Sequence, residues 1–214
     1  MMAAHDVLIF GGSGKTGRHL IDHALQAGLT VACLLRHERD ASELDDLGVT
    51  VIRGNAFEPT DCEHALQTSL PRAVVSLLGG KDSLGRRIDA VGNLNVINAT
   101  QNWHSDLPFV LLTSLGCDEQ FEQMPPNVQQ ALSEALIAKT QAERHLRNST
   151  LDWRIVRPGG LSNEAGEGRY ALVQSLAGMT KMYLSRSDAA LATLDVLRDA
   201  SKARQVWTIL ASEA

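Results

Sequence analysis

The sequence predicts an α/β fold in which a single doubly wound, mainly parallel sheet carries helices on both faces. Short apolar runs bounded by turn residues alternate with helical segments along nearly all of the 214 residues. That alternation is typical of βαβ units joined by right-handed crossovers. The first apolar run also leads directly into closely spaced glycines and then a helix, as in a Rossmann-like nucleotide-binding unit. With 44% hydrophobic residues the chain can bury one substantial core, and its length favours one domain over 1–214.

The first unit has the order strand, loop, helix. An apolar run at 6–10 meets glycines spaced Gly11-x-x-Gly14-x-x-Gly17, and a helical pattern at 18–27 follows at once. In such a loop the first glycine permits a tight turn, the second lets backbone N–H groups approach a pyrophosphate, and the third allows close helix packing. The helix N-terminus adds unpaired N–H groups and partial positive charge. The pattern therefore predicts a dinucleotide site, with a glycine turn that binds nothing as the alternative.

Two other glycine-loop chemistries fail on spacing. A Walker A loop needs a glycine five positions before Gly14, where this chain has Ile9. A hydrolase nucleophile elbow centred on Ser13 needs a glycine where Lys15 stands. Neither a P-loop nucleotidase nor a serine hydrolase is expected.

The later elements follow from the same pattern. Thr60 and Glu63 have the spacing of a capping box, and Ser187-Asp188 is expected to cap the last helix. Strands are predicted at 29–35, 49–54, 73–78, 109–113, 152–157 and 205–210, and helices at 42–47, 60–70, 87–103, 127–147 and from 187 to 199.

The stretch 158–168 shows no periodic burial pattern and is predicted to be a loop. It follows the carboxyl end of a strand, where open α/β sheets bind ligands, so residues 160–183 are a candidate substrate lid. Tyr170, Met179, Met182 and Tyr183 give this segment an apolar set suited to a planar ligand, although core packing explains them equally well.

Composition excludes several functions. A net charge of −5, with no run of Lys and Arg, argues against nucleic-acid binding. The first apolar run is too short for a signal peptide or a membrane span, so a cytoplasmic protein is expected. Cys33, Cys62 and Cys117 lack metal or redox spacing. His19 and His23 share a helix face but have no acidic partner, so no metal site is expected.

Short motifs recur at the ends of the predicted strands. They are the glycine loop, Leu35-Arg36, Gly54-Asn55, Leu78-Gly79-Gly80, Thr113-Ser114 and the segments 92–97, 152–159 and 184–188. Together they resemble the atypical short-chain dehydrogenase/reductase superfamily, in particular its compact NAD(P)-binding branch of NmrA-like proteins and biliverdin-IX-beta and flavin reductases. The resemblance implies a cofactor site made of Gly11, Ser13, Gly14, Lys15, Thr16, Gly17, Arg36, Arg39, Asn55, Ala56, Leu78, Gly79, Gly80, Thr113 and Pro158.

The end of the second strand indicates which cofactor is used. An NAD-preferring fold generally has an acid there, about twenty residues past the loop, to accept from the ribose 2′-OH. This chain has Arg36, which lies 36 − 17 = 19 positions after Gly17, and Arg39 follows. Because a guanidinium suits a 2′-phosphate, NADP(H) is the predicted cofactor. The alternative is that both arginines only solvate a loop that also holds Glu38 and Asp40.

The catalytic tyrosine of the superfamily is missing. The tyrosine-dependent branch uses a serine after the fifth strand and Tyr-x-x-x-Lys on the next helix. Ser114 and Lys139 match, but Ala135 stands where the tyrosine belongs, and Tyr170 and Tyr183 come too late in the chain. Ser114 and Lys139 are the candidate catalytic residues. Each has a structural alternative, since Ser114 could only end a strand and Lys139 could be a solvated helix lysine.

Two functions remain open. The first is hydride transfer from NADPH to a small-molecule conjugated acceptor such as a flavin, quinone or linear tetrapyrrole, which solvent can protonate. The second is a non-catalytic NADP(H)-binding redox sensor or assembly protein of NmrA-like type, which would act through a protein partner.

Overall fold

The computed structural model describes residues 4–36, 41–82, 84–177 and 181–212. The strands are β1 (Val7–Phe10), β2 (Val31–Leu35), β3 (Thr50–Arg53), β4 (Val74–Ser76), β5 (Pro108–Leu112), β6 (Asp152–Pro158), β7 (Gly160–Ser162), β8 (Ala171–Val173), β9 (Tyr183–Ser185) and β10 (Gln205–Leu210). The α-helices are α1 (Lys15–Gln26), α2 (Ala41–Asp46), α3 (Pro59–Ser69), α4 (Val91–Trp103), α5 (Pro126–Arg147) and α6 (Arg186–Arg198), and short 3-10 helices cover Asp118–Gln123 and Ala200–Lys202.

The main sheet confirms the predicted Rossmann-like architecture. Within the described residues it has eight strands in the order β3-β2-β1-β4-β5-β6-β10-β8. Neighbouring strands are parallel except β8, which runs antiparallel to β10. The strand order reverses between β1 and β4, the switch point at which open α/β sheets bind ligands outside the carboxyl ends of the strands. A second, smaller sheet pairs β7 with β9.

Alternation along β1 divides the core into two layers. Val7 and Ile9 pack with α1, α2 and α6 on one face, whereas Leu8 and Phe10 pack with α3, α4 and α5 on the other. Successive side chains of a strand point to opposite faces, so a strand covered on both sides has to be apolar throughout. All four residues of β1 are buried, which explains its uninterrupted apolar run.

Two of the predicted helix starts are wrong. Helix α3 begins at Pro59 with Glu58 in the N-cap position and no side-chain cap, so Thr60 and Glu63 form no capping box. A proline suits the first helical position because its φ is already helical and it has no N–H to satisfy. Helix α6 is capped by Ser185, whose Oγ accepts from the Asp188 N–H at 2.9 Å, two residues earlier than the Ser187-Asp188 cap expected from the sequence.

Two other segments also differ from prediction. Helix α4 starts at Val91 instead of 87, because Lys81 and Arg87 pair in an antiparallel bridge that holds the preceding residues in a loop. The predicted loop 158–168 contains β7, which pairs with β9. A Cβ on Gly160 would lie 2.3 Å from the Tyr183 ring, so the aromatic side chain occupies the space that only a glycine leaves. Three-residue strands are too short for the alternation pattern to show.

A buried ion pair joins β6 to α5 below the carboxyl end of the sheet. Arg157 and Glu143 are both fully buried, and the guanidinium donates from Nε and Nη2 to the carboxylate at 3.0 and 2.6 Å. Glu119 accepts from Arg157 Nη1 at 2.5 Å, and the Thr113 hydroxyl donates to Glu143 at 2.6 Å. Burial lowers the pKa of Arg157, but the hydrogen bonds to Glu143 and Glu119 outweigh this and raise it above its usual value. The arginine is therefore charged and fully paired.

We expect Glu143→Ala to lower the free energy of unfolding by about 3–5 kcal/mol, because it leaves a buried guanidinium without its main partner. The matched control is Glu134→Ala on the same helix, where the side chain is 69% exposed and also contacts two cations, Lys81 and Arg87. Exposed pairs contribute little, so the control should change stability by less than about 1 kcal/mol. Urea denaturation of the three proteins measures both values, and equal effects would contradict the prediction.

Candidate functional site

The glycine loop after β1 has the geometry that its spacing predicts. Gly11 adopts φ +91°, which favours glycine, and its carbonyl accepts from the Gly14 N–H at 3.0 Å. A Cβ on Gly17 would lie 2.2 Å from the Gly11 oxygen, closer than any side chain can approach. The first turn of α1 is therefore packed directly against the loop, and both positions require glycine.

The N-terminus of α1 opens at the carboxyl edge of the sheet. Gly14 is the N-cap residue, and no side chain in the described part of the protein caps it. A Cβ on Gly14 would meet only the Gly11 oxygen, at 3.2 Å, so the space outside the loop is open. Ser13 and Lys15 are exposed on either side. The uncapped N–H groups of α1, the positive end of its helix dipole and the open space in front of it together suit the binding of a diphosphate.

One depression lies beside the loop at the ends of β1, β2, β3 and β4. The Asn55 side-chain oxygen accepts from the Phe57 N–H at 3.2 Å, and Asn95 donates to the carbonyls of Ala56 and Phe57 at 3.0 Å each. These bonds fix the loop that follows β3. The wall of the depression includes the predicted cofactor residues Gly11, Ser13, Gly14, Arg36, Asn55, Ala56, Leu78 and Gly79, whereas Arg39 lies outside the described residues.

A second depression continues from the first on the other side of Gly11, Gly14 and Leu77. It is lined by the remaining part of the phosphate loop, by Thr113 and Ser114 after β5, by Lys139 from α5, and by Leu161 and Arg186 from the C-terminal part of the chain. The two depressions together form an elongated cleft across the switch point of the sheet, the shape that a dinucleotide needs.

Lys139 is held by a buried acid that sequence analysis did not identify. Its ammonium lies 2.9 Å from Asp89 Oδ1, and the side chain is only 16% exposed, so it is not a solvated surface lysine. Asp89 Oδ2 accepts from the Gly80 N–H at 2.9 Å and lies 3.3 Å from Arg87. A Cβ on Gly79 would lie 3.1 Å from both the lysine nitrogen and the Asp89 oxygen. This ion pair therefore fixes the glycine turn after β4 against α5.

Ser114 lines the second depression, and Ala135 occupies the sequence position of the missing tyrosine. Ser114 is half-buried, and its hydroxyl donates to the Leu115 carbonyl at 3.1 Å. Ala135 is half-buried one helical turn before Lys139. Tyr170 donates its hydroxyl to Asp195. Burial and that carboxylate raise the pKa of Tyr170 well above its usual range, so the phenol is engaged on α6.

Three predicted cofactor residues support the cleft, and of these only Thr113 also lines it. Thr113 reaches the wall, but its hydroxyl points to Glu143. Pro158 is buried, pairs with β10 and accepts from the Leu115 N–H at 2.8 Å. Gly80 adopts φ +106° and contributes the N–H that holds Asp89.

Sequence analysis missed two side chains besides Asp89. Asn93 accepts from the Ser76 hydroxyl at 2.6 Å and donates to the Asp89 and Leu78 carbonyls, which joins α4 to the end of β4. Asn93 lies within the 92–97 motif, but the sequence did not indicate what its side chain does. Arg186 likewise lies within the 184–188 motif, but its place beside the phosphate loop arises only when that distant segment packs there.

The structure gives the cysteines no part in the site. Cys33, Cys62 and Cys117 are buried free thiols, and burial raises the pKa of each to about 12. A thiol with such a pKa is not a nucleophile at neutral pH. Across the described ranges there is no group of three or more His, Cys, Asp or Glu suited to a metal ion. Nor does any helix in those ranges have the length and apolar character needed to cross a bilayer.

We expect Gly14→Val to lower NADPH affinity by about tenfold or more, roughly 1.4 kcal/mol, while the protein stays folded. The added Cβ meets only one backbone oxygen, but the branched side chain fills the space in front of α1. Fluorescence titration measures binding, and circular dichroism with thermal melting checks the fold. Gly14→Ala should show a smaller effect. A folded Gly14→Val protein that binds NADPH normally would mean that the loop is only a turn.

Comparison with known proteins agrees with this geometry. A family model described as NAD(P)H-binding matches residues 11–200. Photosystem II assembly factor Ycf39 from Synechocystis sp. is 28% identical over 97% of this chain, and the chain spans 63% of that protein's length, less than two thirds.

Solved structures match over nearly the whole chain. Anaerobillin reductase ChuY from Escherichia coli O157:H7 has a TM-score of 0.86 and 26% identity, covering 97% of this chain and 98% of that one. A short-chain dehydrogenase/reductase from Veillonella parvula, solved in complex with NADP, has a TM-score of 0.77 over 96% of this chain and 94% of that one; at 19% identity it shows the shared fold alone. The resemblance to the atypical short-chain dehydrogenases/reductases is thus confirmed, and the chain belongs to the NAD(P)H-binding family.

Proposed function

We propose that this protein is an NADPH-dependent oxidoreductase that transfers hydride to a flat, conjugated small-molecule acceptor. The observation that carries the proposal is the composition of the second depression. Ser114 and Lys139 line it beside the phosphate loop, and four residues before Lys139 the chain has Ala135 at the sequence position of the tyrosine that protonates a carbonyl oxygen in the tyrosine-dependent branch. Hydride transfer to a conjugated acceptor needs no such phenol, because the charge spreads over the acceptor and water supplies the proton.

Each part of the cleft has a task in this reaction. The reduced nicotinamide, when bound, supplies the hydride. The N-terminus of α1 and Lys15 hold the diphosphate, and Asn55 contacts the adenine through its amide. Lys139, fixed by Asp89, contacts the ribose next to the nicotinamide. Ser114 hydrogen-bonds the carboxamide or the acceptor and so keeps the two reactants aligned.

The similarity to the Escherichia coli anaerobillin reductase supports the reductase class, since 26% identity extends over both chains almost completely. It also supports a conjugated acceptor. Residues 160–177 and 181–183 form the segment that would cover it, with Tyr170 packed on the core and Tyr183 largely exposed. Of the other two apolar residues predicted for this lid, Met182 is half-buried and Met179 lies outside the described residues.

A second candidate is a non-catalytic NADP(H)-binding protein that changes its protein partners. The specific observation in its favour is the 28% identity to the assembly factor Ycf39 over 97% of this chain. Ala135 is compatible with this role as well. The two candidates differ in turnover, because only an oxidoreductase oxidises NADPH when an acceptor is added.

The deciding experiment follows NADPH absorbance with FMN, FAD, a benzoquinone, biliverdin and anaerobillin as acceptors. The oxidoreductase proposal expects at least one acceptor to accelerate NADPH oxidation above the rate without protein. A protein that binds NADPH but accelerates none of them would favour the second candidate. Isolation of partners in the presence of NADPH and of NADP would then be the informative measurement.

We expect NADPH to bind at least about tenfold more tightly than NADH, because Arg36 stands where NAD-binding proteins have an acid; this ratio corresponds to about 1.4 kcal/mol. Arg36→Met should weaken NADPH binding alone, so that the two cofactors bind with about equal affinity. Arg198→Met, which removes the same charge from the exposed end of α6, is the control and should leave both affinities unchanged. Equal affinities in the natural protein would contradict NADP(H) preference.

We also expect Ser114→Ala to lower kcat for the best acceptor by about tenfold or more, because its hydrogen bond matters most in the reactive geometry. NADPH affinity should change by less than about threefold, since the diphosphate and adenosine contacts remain. Stopped-flow kinetics and equilibrium titration separate the two effects. An unchanged kcat would leave Ser114 with no part in the reaction.

A further inference from the structure

Arg186 brings a positive charge to the phosphate loop from the C-terminal part of the chain. It is the first residue of α6, and its side chain lines the second depression together with Gly14, Lys15 and Thr16. Its Nε donates to Asn163 Oδ1 at 2.9 Å, and Nη1 lies 3.5 Å from Thr16 Oγ1, at the outer limit of a hydrogen bond. The guanidinium thus lies beside the first turn of α1, at the wall of the cleft.

No carboxylate of the described residues balances the charge of Arg186, in contrast to four other buried or partly buried arginines. Arg147, Arg154 and Arg157 each lie within 4 Å of a carboxylate, as does Arg87. Arg186 has no ion pair with any carboxylate of the described residues, and both of its hydrogen-bond partners are neutral side chains.

The nearest acid along α6 does not serve it either. Asp188 accepts from the N–H groups of Glu167 and Gly168, at 3.1 and 2.8 Å, and from the Ser185 hydroxyl at 2.8 Å. A half-buried guanidinium with neutral partners retains donors for an anion, and planar, forked donors suit a phosphate.

We propose that Arg186 binds the diphosphate of the cofactor from a position beside the first turn of α1. The helix dipole offers the equivalent of roughly half a positive charge, which is well short of the two negative charges of a diphosphate. Lys15 is exposed and adds one charge from the solvent side, whereas Arg186 adds another from inside the cleft. Through Asn163, the same residue connects the cofactor to the segment after β7.

The test compares two cofactors that share the diphosphate and differ only in the 2′-phosphate. NADPH and NADH are titrated by nicotinamide fluorescence against the natural protein, Arg186→Met, Arg36→Met and Arg198→Met. We expect Arg186→Met to raise the Kd of both cofactors by tenfold or more and to leave their ratio within twofold. Arg36→Met should raise the Kd of NADPH alone and so change the ratio. Arg198→Met should change the Kd of neither cofactor. Arg186→Lys, which keeps the charge, should recover part of the affinity.

Three results would overturn the proposal. Unchanged affinities in Arg186→Met would mean that no phosphate contact exists, and an altered ratio would place Arg186 at the 2′-phosphate. The third result concerns acceptors. The variant could bind both cofactors normally but, when saturated with NADP, bind FMN more weakly and riboflavin as before. The phosphate that Arg186 binds would then be that of the acceptor.

Thermal melting confirms that each variant is folded, and Arg186→Gln replaces the methionine variant if that one does not fold. The proposal rests on cofactor binding and not on hydride transfer. A protein that reduces no acceptor therefore leaves these titrations fully interpretable, so failure of the proposed activity and failure of the Arg186 contact are distinguished.

Discussion

The buried pair between Arg157 and Glu143 is the interaction on which the geometry of the cleft depends. It joins β6 to α5, and through Thr113 it also fixes the end of β5. Lys139 lies one helical turn before Glu143, on the same face of α5. Two successive turns of α5 therefore have different roles. The turn with Lys139 places an ammonium at the cleft, and the following turn with Glu143 binds the helix to the sheet.

The rest of the cleft is built in the same manner, with charged groups placed by other charged or polar groups. Asp89 fixes Lys139 and the turn after β4, and Asn93 holds the backbone around Asp89. Each of these groups is buried, so each has to be satisfied by hydrogen bonds. Misplacing one member therefore disturbs both the core and the wall of the cleft.

How much could be predicted from the sequence depended on whether the signal was local. The parallel part of the sheet and the tight glycine loop were predicted correctly, because strand burial and the Gly11 and Gly17 contacts arise within a few residues of one another, whereas the short antiparallel strand β8 was not predicted. Asp89 and Arg186 were missed, because their roles exist only after α5 and α6 have packed against the sheet. The predicted start of α3 was wrong for a local reason, because the helix begins at Pro59 and not after a capping box formed by Thr60 and Glu63.

Ala135 has a consequence for how the cleft discriminates among acceptors. A phenol at that position would restrict chemistry to oxygens that it could protonate. Without it, the rate of the proposed reaction is governed by the reduction potential of the acceptor and by how well its ring system stacks beside the nicotinamide. Under the proposed function, such a cleft would accept chemically unrelated acceptors of similar shape and potential, and selectivity among them would have to come from the segment proposed to cover the ring.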